Sequence, residues 1–414
     1  MKKVYIDVVS CRRRSLDAKK LSNYLSKNNY EIVLKPGKAD TIVLITCAFI
    51  DKITEYSLKK VKELQKFDAE LIVAGCLPAI EPEKLSNIFN GKIIYTEKFD
   101  EIFQLFPSKK QFLNINEDAN ILFEDYYPVS FFKKIKKQIK KLKIFNKIYS
   151  KTIDFIFKSF FGKNSFTYKI LLKNLFIIRI SWGCLGNCSY CAIKKAIGPL
   201  KSKPQNQCLE ELKVGLNQNY KYFLLTADDG GAYGLDICDN FPNLLKEMIK
   251  IKNDFKIYIE SLSPIWLIKY EEELKEIISN KKVGYIDCAI QSGSEKILKS
   301  MNRFSDIKRL TDTLLNVKKL NPNLILTTEI IIGFPGETED DFKQTLSLIK
   351  KINFTGGFIY RFSFKSGTKV ENINPKNSQK DISKRIKYAK KYLKKLGYKI
   401  NYLPKKDFII FDKK

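Results

Sequence analysis

Apolar residues over positions 1–107 follow two alternating rhythms. Short runs rich in Val and Ile stand at Lys3–Ser10, Thr41–Thr46, Glu70–Ala74 and Lys92–Thr96, which predicts buried strands. Between them, at Ser15–Asn28, Glu55–Phe67 and Glu81–Phe89, helical patterns intervene. Such alternation builds a parallel sheet covered by helices. The rhythm breaks between 108 and 174. There, Phe131–Lys163 sets apolar residues every three or four positions among lysines, with no acid before Asp154, and predicts a basic amphipathic helix. That helix either packs on a neighbouring domain with a solvated lysine face or meets RNA phosphates or an anionic membrane. From Leu175 the alternation resumes, with strands ending near Ser181, Thr226, Ser261, Gln291, Gly333 and Phe364 and helical patterns such as Thr338–Lys351 between them. Six βα units predict a partial or full parallel barrel whose site lies at the strand C-termini. The tail carries a Lys-rich helix, Gln379–Leu396, and a short strand-like end, Asp407–Phe411.

The expected class is therefore α/β. An N-terminal parallel-sheet domain spans 1–107, a basic helical insert 108–174, a partial (β/α)6 barrel 175–371, and a Lys-rich helical tail 372–414.

Charge and composition narrow the chemistry. The 414 residues carry 75 Lys and Arg against 45 Asp and Glu, a net charge of +30. Such an excess attracts polyanions, nucleic acid before an acidic membrane surface. Most of the base is lysine, however, which in a chain also rich in Ile, Asn and Phe often only solvates the surface. There is no histidine, which excludes Ser-His and Cys-His catalysis and His-ligated zinc. The start, Met1–Val9, holds an acid inside a short apolar run and no small-residue cleavage site, so it reads as a first strand rather than a signal peptide. No apolar run is long enough to span a bilayer. The expected compartment is the cytoplasm, with no stable membrane insertion. In that reducing setting nine cysteines read as metal ligands rather than disulfides.

Two groups of cysteines stand out. Cys184, Cys188 and Cys191 follow the strand Phe176–Ser181 at x3 and x2 spacing. A loop of this kind wraps three thiolates round three irons of a cubane cluster and leaves the fourth iron open. An open iron suits a chelating ligand, here the amino and carboxylate groups of S-adenosylmethionine (SAM), and electron transfer to the sulfonium releases a 5′-deoxyadenosyl radical. No fourth Cys or His lies nearby to complete a zinc site. The second group is Cys11, Cys47 and Cys76, each closing a predicted strand. Strand C-termini of a parallel sheet line one crevice, so three thiols distant in sequence converge there and can hold a second 4Fe-4S cluster. Buried structural thiols are the alternative. Cys208, Cys238 and Cys288 have no partner spacing and read as core thiols.

These residues resemble the radical-SAM methylthiotransferase family, which modifies tRNA adenosine or a ribosomal-protein aspartate. The resemblance runs from residue 1 to about 370, apart from the 108–174 insert. It is closest to the threonylcarbamoyladenosine branch through Gly183–Pro204 and Leu225-Thr226-Ala227-Asp228-Asp229-Gly230-Gly231-Ala232-Tyr233-Gly234. Val73-Ala74-Gly75-Cys76-Leu77-Pro78, Gln291-Ser292-Gly293-Ser294, Met301-Asn302-Arg303 and Ile332-Gly333-Phe334-Pro335-Gly336-Glu337-Thr338 match as well. The resemblance implies that Cys184, Cys188 and Cys191 bind the SAM cluster, and that Cys11, Cys47 and Cys76 bind an auxiliary cluster that delivers sulfur. It implies that Tyr190 lies beside the adenine, that Gln291, Ser292 and Gly293 contact SAM, and that Gly333 and Phe334 line its pocket. Asp229 and Glu260, at strand ends facing the barrel mouth, are candidate polar contacts to SAM or substrate.

Three departures bear on the substrate. The family normally ends in a small RNA-gripping β-barrel, and too few residues follow Thr368 to build one. Its Arg-Pro-Gly-Thr turn reads Lys365-Ser366-Gly367-Thr368 here, and Tyr258 stands where Arg is expected. The expected enzyme is a monomer that uses two 4Fe-4S clusters, SAM and a reductant such as flavodoxin or ferredoxin. Its substrate is tRNA, with the basic insert and tail supplying phosphate contacts, or a peptide. An iron–sulfur carrier without catalysis is the remaining alternative.

Overall fold

A computed structural model describes residues 1–9, 11–107, 119–123, 175–403 and 408–413. The basic stretch Phe131–Lys163 lies outside the described residues. The chain divides into two compact units.

The first unit comprises Met1–Lys143 together with Ala192–Gly198 and Lys365–Gly367. Its strands are β1 (Lys3–Val8), β2 (Glu31–Ile32), β3 (Thr41–Thr46), β4 (Glu70–Gly75) and β5 (Lys92–Tyr95). They form one parallel sheet in the order β2-β1-β3-β4-β5. All six residues of β3 are buried, as expected of a parallel strand covered on both faces. Side chains alternate between faces: Ile42 and Leu44 join one apolar cluster with Val61 of helix Asp51–Leu64, while Val43 and Ile45 join another with Leu21 of helix Arg12–Lys27. The helix expected over Glu81–Phe89 is instead two short ones, Leu77–Ile80 and Pro82–Ser86. Glu81 between them sits at φ −134°, because a residue preceding proline is pushed out of the helical region.

The second unit comprises Ile144–Cys191, Pro199–Phe364 and Thr368–Lys414. Its strands are β6 (Phe176–Arg179), β7 (Ser181–Trp182), β8 (Lys201–Ser202), β9 (Tyr222–Thr226), β10 (Lys256–Leu262), β11 (Val283–Cys288), β12 (Ile325–Ile332), β13 (Gly356–Arg361), β14 (Tyr398–Leu403) and β15 (Phe408–Lys413). Six of them run parallel in the order β6-β9-β10-β11-β12-β13. Among the described residues no pairing joins β6 back to the far edge, so this is a partial (β/α)6 barrel. The tail is more than a helix. Gln379–Lys395 packs Ile382, Ile386, Ala389 and Leu393 onto the barrel core, and the β14–β15 hairpin then extends the sheet antiparallel beyond β13. No helix among the described residues is long and apolar enough to cross a membrane.

Candidate active site

The Cys184 loop leaves the C-terminal end of the barrel's first strand between the two halves of the β7–β8 ribbon. Gly183 turns it there at φ +77°, where a side chain would strike the carbonyl of Pro199, so only glycine fits. Inside the loop the Gly186 N–H donates to Cys184 Sγ at 3.1 Å. A Cβ on Gly186 would stand 3.1 Å from Cys184 Sγ and 3.9 Å from Cys188 Sγ. Two sulfurs therefore flank one small hollow that glycine keeps open. On its other side Cys184 Sγ meets Asp229 Oδ2 at 3.5 Å, and the Trp266 indole N–H donates to Asp229 Oδ1 at 2.7 Å. Burial, helped by the Asp229 charge, pushes the Cys184 thiol up to about 12. Burial likewise raises the Asp229 carboxyl.

The other residues expected near SAM fall into two groups. Glu260 and Gln291 present polar atoms at strand ends. Thr226 Oγ1 donates to Glu260 Oε2 at 2.6 Å. Gln291 adopts φ +67°, its N–H donates to the Glu329 carbonyl at 2.8 Å, and its buried Oε1 has no partner among the described residues. The remaining positions do much of their work in packing. Ser292 is fully buried with its hydroxyl 3.3 Å from that of Thr345. A Cβ on Gly293 would meet Thr345 and Gln344 backbone, and one on Gly333 would meet Ile382 at 2.4 Å, so the close approach these glycines allow is to helices. Phe334 is fully buried in an apolar cluster with Met301 and Val370, its ring edge-on to Tyr190 at 6.3 Å. Tyr258, in place of the expected Arg, is buried between Tyr222 and Tyr285 in an aromatic row across β9, β10 and β11.

In the first unit Cys47 and Cys76 directly follow β3 and β4, and Cys11 stands at the N-terminus of helix Arg12–Lys27 just beyond β1. All three occupy one edge of one sheet. Gly75, at φ +102°, lets the ends of β3 and β4 converge: its Cβ would lie 2.4 Å from the Thr46 carbonyl oxygen. Cys47 is fastened by Ser57, whose hydroxyl donates to the Cys47 carbonyl at 2.7 Å, and Cys76 Sγ lies 3.5 Å from Thr96 Oγ1.

Among the described residues no three His, Cys, Asp or Glu side chains are gathered as one metal ion would require. The thiolates of a cubane each take a different iron and stand apart around it, and the bare Gly186 leaves such room between Cys184 and Cys188. The surplus cysteines divide differently from expectation. Cys208 and Cys288 are buried core thiols, but Cys238 is exposed, at φ +55°; a loop position, not a strand or helix face, decides its place.

Two residues emerge that residue-type reasoning missed. Lys365 is 2% exposed, with Nζ 3.0 Å from Asp51, 2.9 Å from Thr54 and 3.0 Å from Glu81. It thereby ties the segments that follow Cys47 and Cys76. Burial would raise the Glu81 carboxyl, but Lys84 and Lys365 outweigh it and hold the group below its ordinary value. The other is Arg303, beside Cys188. Each sits in a motif visible in the sequence, but the partner across space is not.

The chain resembles known proteins along most of its length. Residues 178–349 match the Radical SAM superfamily, and residues 3–95 match the uncharacterized protein family UPF0004. Over 410 residues the chain is 28% identical to the probable threonylcarbamoyladenosine tRNA methylthiotransferase of Methanocaldococcus jannaschii, covering 98% of this chain and 85% of that one. It is 29% identical over 408 residues to the ribosomal protein uS12 methylthiotransferase RimO of Clostridium novyi, covering 96% and 83%. Among solved structures, the radical S-adenosylmethionine methyltransferase TsrM from Kitasatospora setae shares the fold, with a TM-score of 0.58 at 12% identity over 89% of this chain and 77% of that one. An open six-stranded barrel with a three-cysteine loop after its first strand, together with these matches, defines a radical-SAM enzyme. The N-terminal sheet with its own three cysteines sets the branch, and the chain belongs to the radical-SAM methylthiotransferase family. Enzymes of this family work with SAM and two 4Fe-4S clusters.

Proposed function

We propose that the enzyme adds a methylthio group to C2 of a modified adenosine beside the anticodon of tRNA. The observation that carries the reading is the pairing of two cysteine triads, each following the C-terminal ends of parallel strands in its own unit. The tRNA-directed names of several relatives and the net charge of +30 support the choice of polymer. In this reading Cys184, Cys188 and Cys191 hold the SAM cluster and Cys11, Cys47 and Cys76 the auxiliary one. When bound, the first cluster with SAM supplies the radical and the second supplies sulfur.

The chain's own residues prepare the sites. Gly183 and Gly186 leave room at the cysteine loop. Asp229, oriented by Trp266, and Glu260, oriented by Thr226, present carboxylates at strand ends for the cationic or hydroxyl groups of SAM or substrate. Gln291 offers an unspent amide oxygen at the barrel mouth, and Ser292, Gly293 and Gly333 hold its backbone shape through the helices behind them. Tyr190, braced by Phe334, offers a flat face for a base. The electron donor in this reading is a flavodoxin or ferredoxin, and the enzyme works as a monomer.

Nucleoside mass spectrometry of total tRNA from a deletion strain tests the substrate. Loss of the 2-methylthio nucleoside is expected. Unchanged tRNA would overturn the proposal in favour of a protein side chain, the reading favoured by the RimO-type relative. Binding to tRNA should also weaken steeply with salt if phosphate contacts dominate.

A further inference from the structure

The turn Ser300–Arg303 grips the cysteine loop from outside. Ser189 N–H donates to the Met301 carbonyl at 3.0 Å, Ser189 Oγ donates to the Ser300 carbonyl at 2.7 Å, and Asn302 Nδ2 donates to the Asn187 carbonyl at 2.8 Å. Asn302 takes φ +53° to make this possible, a conformation asparagine tolerates better than most residues. The clasp delivers Arg303. Its Nη1 lies 3.6 Å from Cys188 Sγ, while Nη2 donates to the Ala289 carbonyl and fixes the plane of the guanidinium. The two sulfurs flanking Gly186 thus have opposite neighbours: a carboxylate, Asp229, at Cys184 and a guanidinium at Cys188.

We propose that Arg303 is a positioning residue that sets the reduction potential of the cluster held by Cys184, Cys188 and Cys191, through a charge-assisted N–H···S contact to Cys188. The inference rests on the cluster assignment above. A cubane gains negative charge when reduced. A fixed cation and a hydrogen bond at a ligand sulfur stabilise the reduced form and raise the potential. Radical formation needs that reduced form, so Arg303 eases the step in which an electron enters the cluster. Arg suits the position better than Lys, because its fork spans the sulfur and the Ala289 carbonyl together.

The test uses the full chain with Cys11, Cys47 and Cys76 changed to Ala, so that one cluster remains. Iron and sulfide are assayed, and the midpoint potential is followed by paramagnetic resonance during a redox titration. Arg303→Gln is expected to shift the midpoint to more negative values, with a several-fold smaller reduced fraction at a fixed reductant level and unchanged iron. Arg303→Lys is expected to shift it less. Asn302→Ala, which removes one bond of the clasp and keeps the guanidinium and its Ala289 contact, is expected to shift it less than Arg303→Gln. Should Arg303→Gln fail to bind iron, the Arg303→Lys midpoint decides: a negative shift supports the proposal, and a parental value or loss of iron there overturns it. Parental midpoints in both Arg303 variants overturn it alone, as does an equal shift in Asn302→Ala. A parent without iron overturns the cluster assignment and this inference with it.

Discussion

The two cysteine triads solve one problem by opposite means. In the barrel unit, three cysteines lie within eight consecutive residues, and the loop is shaped by glycines and by a clasp from one neighbouring turn. In the N-terminal unit, each cysteine follows a different strand, and the sheet itself is the template. A local loop closes with little chain entropy to overcome. A dispersed triad exists only after β1, β3 and β4 have paired, so its geometry is as stable as the sheet and no more. The difference teaches where each site is vulnerable: the first to changes inside the loop, the second to changes anywhere that loosens the sheet edge.

The largest effect that would sharpen this contrast comes from removing each triad in turn. Changing Cys184, Cys188 and Cys191 to Ala should abolish cleavage of SAM to 5′-deoxyadenosine and remove about half of the bound iron. Changing Cys11, Cys47 and Cys76 should remove about the other half while SAM cleavage persists and methylthio product is lost. Equal iron loss with SAM cleavage abolished in both variants would break the comparison.

A smaller effect is expected from Lys365. Changing it to Met leaves the buried Glu81, among the described residues, with the exposed Lys84 as its cationic partner, which should cost about 3 kcal/mol in denaturant unfolding. Because the Glu81 carboxyl is held below its ordinary 4.5, the contribution is full above that value and lost as the pH falls through the lowered one. The penalty should therefore be greatest at neutral pH and shrink in acid. Iron bound by the N-terminal triad should fall with it, while the barrel triad keeps its share. A Lys365→Met protein as stable as the parent at neutral pH would remove Lys365 as the tie between the Cys47 and Cys76 segments.

The smallest effect concerns the iron-free barrel loop. With its thiol raised to about 12, Cys184 should stay protonated at neutral pH and alkylate slowly, since only the thiolate reacts. Asp229→Asn removes a neighbouring negative charge and should speed alkylation several-fold. Mass-spectrometric peptide mapping reads the rate, and an unchanged rate would detach Asp229 from Cys184.

Much of this was legible from residue order. The parallel strands of both units, the helix at Thr338–Lys351, and the three-cysteine loop announce themselves through periodicity and spacing, because those signals are local. Elements too short to carry a period escaped: β2, of two residues, and the β7–β8 ribbon that brackets the cysteine loop. The β14–β15 hairpin was only half visible, since its pairing partner β13 lies far upstream in the chain. The missing side chains of Gly293 and Gly333 make room for Thr345 and Ile382, neighbours that sequence distance conceals.

What the amino-acid sequence determined alone was the chemistry: no histidine, six cysteines in two patterned triads, and the alternation that sets each triad at strand ends. Those features depend on residue identity and on near neighbours along the chain. Only the tertiary structure decided which charges sit beside which sulfurs, with Asp229 against Cys184, Arg303 against Cys188, and Lys365 bridging the segments after Cys47 and Cys76. Such pairings join residues dozens to hundreds of positions apart, and side-chain electrostatics acts over a few ångströms of space, whatever the distance in sequence.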